Sequence, residues 1–196
     1  MTGTGCTWSY NIRHALCDIG CNDIFDLVTP CDIDFAENAL SDLDSSEWDI
    51  RRYKSDKLRY YNLHKFDKST EEYIRLNVPR YHRSILAQFR CGILPLEIEV
   101  GRYRNAELTD RICQLCSTAI EDEVHFLCEC PLYSDYRSQL FHAASQVETT
   151  FMNMDKIEQF TFLMSNLQKL VAKFLTHAMS RRTHRLTKVT LTNEVT

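Results

Sequence analysis

Hydrophobic positions along the chain recur mostly at helical spacing. Trp8, Ile12, Ala15 and Leu16 make one apolar stripe, with Gly20 as its stop. Ile24, Phe25 and Leu27 suggest a second short helix before Pro30. Asp32 or Asp34 then caps a third, with Phe35, Ala36, Ala39, Leu40 and Leu43 inward and an acidic outer face that reads as solvated surface. Pro79 opens the stretch RYHRSILAQFRCGI, in which Ile85, Leu86, Phe89 and Cys91 face the core, and Arg80, Arg83 and Arg90 lie nearer the surface. Gly92 and Pro95 end it. Leu96 to Val100 alternates apolar and acidic residues, which predicts a short strand or an extended leader.

Behind Pro131, Leu132, Tyr136, Leu140 and Phe141 define another helix. The longest periodic signal runs from Phe160 through Leu163, Met164, Leu167, Leu170, Val171, Phe174 and Leu175 to Ala178, and predicts one continuous core-facing helix. It covers too few heptads for a coiled-coil seam, and Lys169 and Lys173 rule it out as a membrane span. The fold class expected is therefore mainly α. A helical region over 1–105, a small central metal knuckle over 106–145 and a C-terminal helical segment over 146–196 make up the expected organisation. Five glycines and four prolines in 196 residues are too few for a many-stranded sandwich.

The net charge of −4 hides an uneven distribution. Residues 1–50 hold one arginine against ten acids, whereas residues 51–112 hold fourteen basic residues against eight acids. The basic stretch WDIRRYKSDKLRYYNLHKF alternates cations with Tyr53, Tyr60, Tyr61 and Phe66, a composition that can hold phosphates and stack bases. It equally suits an amphipathic helix whose long basic side chains snorkel to water.

The densest chemistry lies in ICQLCSTAIEDEVHFLCECPLY. Cys113 and Cys116 have knuckle spacing; His125 follows after eight residues and Cys130 after four more. Thiolates and imidazole at such intervals are the donors that a tetrahedral zinc takes. Glu121-Asp122-Glu123 reads as the acidic start of a short helix carrying His125. A reduced, buried cysteine cluster around a core histidine is the alternative. Nine cysteines, an odd and scattered set, together with no secretory leader and no long apolar run, point to an intracellular protein, cytoplasmic or nuclear, with free thiols and no membrane partner.

The segments RSILAQFRCGILPLEIEVGRYRN, RICQLC and EDEVHFLCECPLYSDYR resemble the C-terminal region of non-LTR (LINE-type) retrotransposon reverse transcriptases, which carries a Cys-Cys-His-Cys zinc-binding module. The likeness centres on Arg83 to Arg137. It implies that Cys113, Cys116, His125 and Cys130 hold one structural zinc. Cys128 departs from the family's apolar residue and competes with Cys130 as fourth ligand; the Cys-Pro pair favours Cys130. Polymerase chemistry needs paired aspartates for two metal ions, and the chain has no Asp-Asp dipeptide, no phosphate-cradling glycine loop, no GxSxG and no HExxH.

The function expected is thus a non-catalytic zinc-binding module that binds RNA or DNA, with Arg102, Arg104 and Arg111 beside the first ligand as its contacts and Tyr60, Tyr61 and Tyr103 available for stacking. A helical protein-interaction module docking through the acidic N-terminal face, or a transposon-derived fragment with no nucleic-acid role, is the alternative. A third reading, a metal-dependent hydrolase using Cys128 or Glu123, requires an open zinc position.

Overall fold

The computed structural model describes residues 8–21 and 33–193. It is mainly α: among the described residues the only β pairing is an isolated antiparallel bridge between Ile112 and Ile120. The chain separates into two compact units, Met1–Ser55 and Asp56–Thr196.

The first unit holds α1, Trp8–Asp18, and α2, Ile33–Lys54. The helix expected around Ile24, Phe25 and Leu27 lies outside the described residues, as does Asp32 as a cap. In α2, Ala36 is buried, but Phe35, expected in the core, is more than half exposed. The sign change at Trp48 does not interrupt α2. Its basic last turn suits the carbonyl end of the helix dipole. The buried Arg52 guanidinium lies over the Trp48 and Tyr53 rings and pairs with Asp49 at 2.8 Å, while Ile50 and Tyr53 are exposed; the helix stops at Lys54, so the basic stretch is not one amphipathic helix.

The second unit contains α3, Arg80–Arg90; α4, Glu97–Tyr103; α5, Ser134–Val147; α6, Lys156–Asn166; and α7, Gln168–Asn193. Helix α7 is the central strut, with α3, α5 and α6 packed against it. Leu86 and Phe89 of α3, Leu140 and Ala144 of α5, Phe160, Leu163 and Met164 of α6, and Val171, Phe174, Leu175 and Ala178 of α7 form one core. Phe126 and Tyr133, from the metal-motif region, sit inside it. Their ring centroids are 4.8 Å apart, and Phe126 also meets Phe174 edge-on at 6.2 Å. Offset and edge contacts of this kind favour one fixed aromatic arrangement.

In the second unit the structure departs from three further expectations. Residues 96–100 form the start of α4, not a strand. Among the described residues no neighbouring strand offers a ladder, whereas the Glu121 carboxylate accepts the Glu97 backbone N–H at 2.9 Å and the Glu121 carbonyl accepts that of Ile98 at 3.1 Å, capping a helix. The long C-terminal periodicity is two helices broken at Leu167. The Leu167 carbonyl starts α7 by accepting from Leu170 and Val171, while Asp155 and Glu158 form a capping box that starts α6. The apolar stripe continues across the break, which periodicity alone does not reveal. Arg90 is buried, not superficial: its guanidinium bonds the Glu71 carboxylate at 2.8 Å and the Met164 carbonyl at 3.2 Å, with Tyr61 and Tyr73 beside it.

Candidate metal centre

The ion-binding donors come from two short pieces of backbone. The first is a turn. The Cys113 N–H donates to Ala119 O at 2.9 Å, the Ser117 N–H donates to Cys113 O at 2.8 Å, and Ser117 takes a positive φ of 55°. This folds the chain back on itself so that Cys113 and Cys116 face one point. The second is a π-helical turn, His125–Glu129. Asp122 starts it: its carboxylate accepts the His125 N–H at 2.8 Å and its carbonyl accepts that of Phe126 at 2.9 Å. The Tyr60 hydroxyl fixes the other Asp122 oxygen at 2.5 Å. The expected short acidic-capped helix is therefore present, but wound more loosely. Cys130 ends it, its N–H donating to His125 O at 2.7 Å, and Pro131 opens the next turn.

The donor atoms of Cys113, Cys116, His125 and Cys130 all lie within 4.8 Å of one another. The Cys116 Sγ stands 3.3 Å from His125 Nε2. Zn–S bonds of about 2.3 Å put the sulfurs of a tetrahedron roughly 3.8 Å apart, so this cluster has the size and donor chemistry to hold a metal ion such as zinc. Cys113, His125 and Cys130 are buried and Cys116 is partly open. Cys128 is outside the cluster. It is buried in the hydrophobic core, where burial pushes its thiol up to about 12.

The protons of the cluster compete for the place an ion takes. Contact with Cys130, followed by burial, pushes the Cys113 thiol up to about 12, while the same contact holds the Cys130 thiol below its ordinary range. Burial pulls His125 down, but its contacts with the Cys113 and Cys116 sulfurs outweigh that and raise it to about 9. Metal ligation requires these groups to give up protons.

A second layer of side chains ties the motif to the rest of the unit, and the sequence pattern gave little sign of it. Glu121 is fully buried. Its Oε1 lies 3.6 Å from Cys113 Sγ, and both oxygens are held by Arg182 of α7, at 2.9 and 2.7 Å. Arg137 of α5 donates to Leu127 O at 2.8 Å and Cys130 O at 2.7 Å, fixing the end of the π turn. Glu123, also buried, takes both ends of the Arg59 guanidinium at 2.9 and 2.6 Å. Burial pushes its carboxyl up to about 7 against the pull of Arg59. The His125 Nδ1 faces the Glu129 carboxylate at 3.6 Å, beyond hydrogen-bond reach.

The arginines singled out beside the first ligand are engaged by the protein. Arg111 donates to Ala106 O at 3.0 and 3.1 Å and to Ile98 O at 2.9 Å. Its stem covers Gly101 so closely that a Cβ there would come within 2.6 Å of Arg111 Cγ. Arg104 pairs with Glu97, and Arg102 lies 3.8 Å from Glu99. Tyr60 and Tyr61 point inward, to Asp122 and Glu71, whereas Tyr103 is exposed. Of the basic and aromatic residues in the stretch before Pro79, Arg59 and Tyr60 hold the metal motif through Glu123 and Asp122, whereas Lys57 pairs with Glu99 and Lys65 with Asp67. No helix among the described residues is long and apolar enough to cross a membrane. A scan against protein-family models finds no match, and searches of curated proteins and of solved structures find none either.

Proposed function

We propose that this chain is a non-catalytic, zinc-stapled helical module that binds RNA or DNA, related to the tail of a retrotransposon reverse transcriptase. The observation that carries the zinc assignment is the convergence of three thiols and one imidazole within 4.8 Å. Four protein donors fill a tetrahedron and leave no position for an activated water, so the ion's role is structural. Glu123 and Cys128 do not support hydrolysis, the one being bound to Arg59 and the other packed in the core.

Metal analysis of the purified protein tests the first half. One zinc per chain is expected in the wild type and in Cys128→Ser, with loss in Cys130→Ser. A wild type that carries no zinc overturns it. Titration of labelled RNA and DNA at low salt tests the second half, where absence of binding removes the nucleic-acid role. A protein-interaction module is the second reading. The pairing of Arg104 with Glu97 and the use of Arg111 on backbone carbonyls withdraw cations from a phosphate and favour it, and recovery of protein partners together with indifference to nucleic acid is the result it expects.

A further inference from the structure

The exposed side of α7 carries a basic cavity of about 520 Å³, whose lining includes none of Arg102, Arg104 and Arg111. It is lined by His177, Ser180, Arg181, His184, Arg185 and Lys188 of α7, and by Tyr136 of α5. None of these is an acid. The neighbouring Asp135 carboxylate is already held by Arg181 at 2.6 and 2.7 Å, which fixes that guanidinium against the Tyr136 ring. His177 stacks on the same ring, with centroids 5.7 Å apart. His184 and Arg185 are exposed.

We infer that this face of α7 is a docking site for the phosphate backbone of a nucleic acid, an inference that rests on the nucleic-acid reading above. Residues 177, 181, 184–185 and 188 fall on successive turns of one helix side, about 5.4 Å apart. A row of donors at that interval matches a chain of negative charges, and a single small ion would occupy only one end of it. Guanidinium forks and imidazole N–H groups suit phosphate oxygens, and Arg181 is pre-ordered by Asp135 and Tyr136.

The test uses the full chain with its metal content verified. Binding of a labelled 20-nucleotide RNA and DNA is measured as a function of salt for wild type, Arg185→Glu, Lys188→Glu, the double variant, and Arg102→Glu/Arg104→Glu. Inorganic phosphate and polyglutamate serve as competitors. Arg185 and Lys188 are exposed, so unchanged circular dichroism and metal content certify the fold. The inference expects at least tenfold weaker binding in the double variant, and a salt dependence shallower by about 1.4 for two lost contacts on a single strand. Binding that is unchanged in the α7 variants but lost in Arg102→Glu/Arg104→Glu overturns the site and leaves the nucleic-acid reading standing. A wild type that binds neither polymer removes both. Competition by phosphate or polyglutamate at concentrations equal to those of nucleic-acid phosphate overturns the assignment in favour of a general anion surface.

Discussion

The Arg182 guanidinium meets the Glu121 carboxylate fork to fork at 2.9 and 2.7 Å, with both side chains removed from water. One of these carboxylate oxygens also faces Cys113, and the other caps α4 through the Glu97 N–H. Removing one partner of such a pair leaves the other charge buried and uncompensated. Arg182→Met is expected to destabilise the protein by about 3–5 kcal/mol. Glu121→Gln/Arg182→Met is expected to cost clearly less than the sum of the single changes. Chemical denaturation of the four proteins of this cycle measures the coupling.

Gly92 stops α3 with a φ of 63°, and a Cβ there would sit 2.0 Å from the Lys57 carbonyl oxygen. Strain in the left-handed region and a backbone collision add, because a carbonyl cannot rotate away as a side-chain tip can. Gly92→Ala is expected to lose on the order of 1–3 kcal/mol or more, read from its thermal or urea midpoint. A wild-type midpoint would refute the close approach of residues 57 and 92.

His64 has both ring nitrogens buried without a hydrogen-bond partner, beside Tyr61 and Phe160. Burial, and then the nearby Arg90 charge, pull it down to about 3. Between that value and the unfolded value near 6.5, the unfolded chain binds the proton and the folded chain does not. This contribution to stability is therefore intact above about pH 6.5 and is lost on acidification toward pH 3, by at most about 1.4 kcal/mol per pH unit. The difference in melting temperature between wild type and His64→Phe is expected to widen in favour of the variant as pH falls from 7 to 5. A constant difference counts against a buried neutral imidazole.

A structural ion makes the fold depend on metal. A strong chelator is expected to lower the melting temperature of the wild type and to leave that of Cys113→Ser unchanged. Hydrogen exchange is expected to speed up first over residues 112–137, where the ligand-bearing turns and Arg137 lie. Uniform exchange on chelation would place the ion's effect elsewhere.

The helical class was legible because Leu86, Phe89, Leu140, Phe160, Leu163, Val171 and Leu175 all keep helical spacing and are all buried. The four donors were legible because the CxxC spacing and the Cys-Pro step are local features of the chain. Sequence pattern misled where a distant partner decides the outcome. Alternation at 96–100 reads as a strand until Glu121 arrives to cap a helix there. Arg90, Arg111 and Arg182 look like surface charges, yet Glu71, the Ala106 and Ile98 carbonyls and Glu121 draw them inward. A run such as Arg181-Arg182 gives no sign of which member faces in. That is settled by where the helix lies against the metal motif.

The alternation at Arg181, Arg182 and Arg185 also makes α7 a shared lever. Its inner arginine grips the Glu121 carboxylate, and Arg181, His184, Arg185 and Lys188 line the outer cavity. If an ion in the cysteine cluster raised the affinity of the outer face, linkage would require an occupant of that face to raise the ion's affinity by the same factor. Such a coupling would run through the Glu121 carboxylate, which faces Cys113 on one side and is gripped by Arg182 on the other.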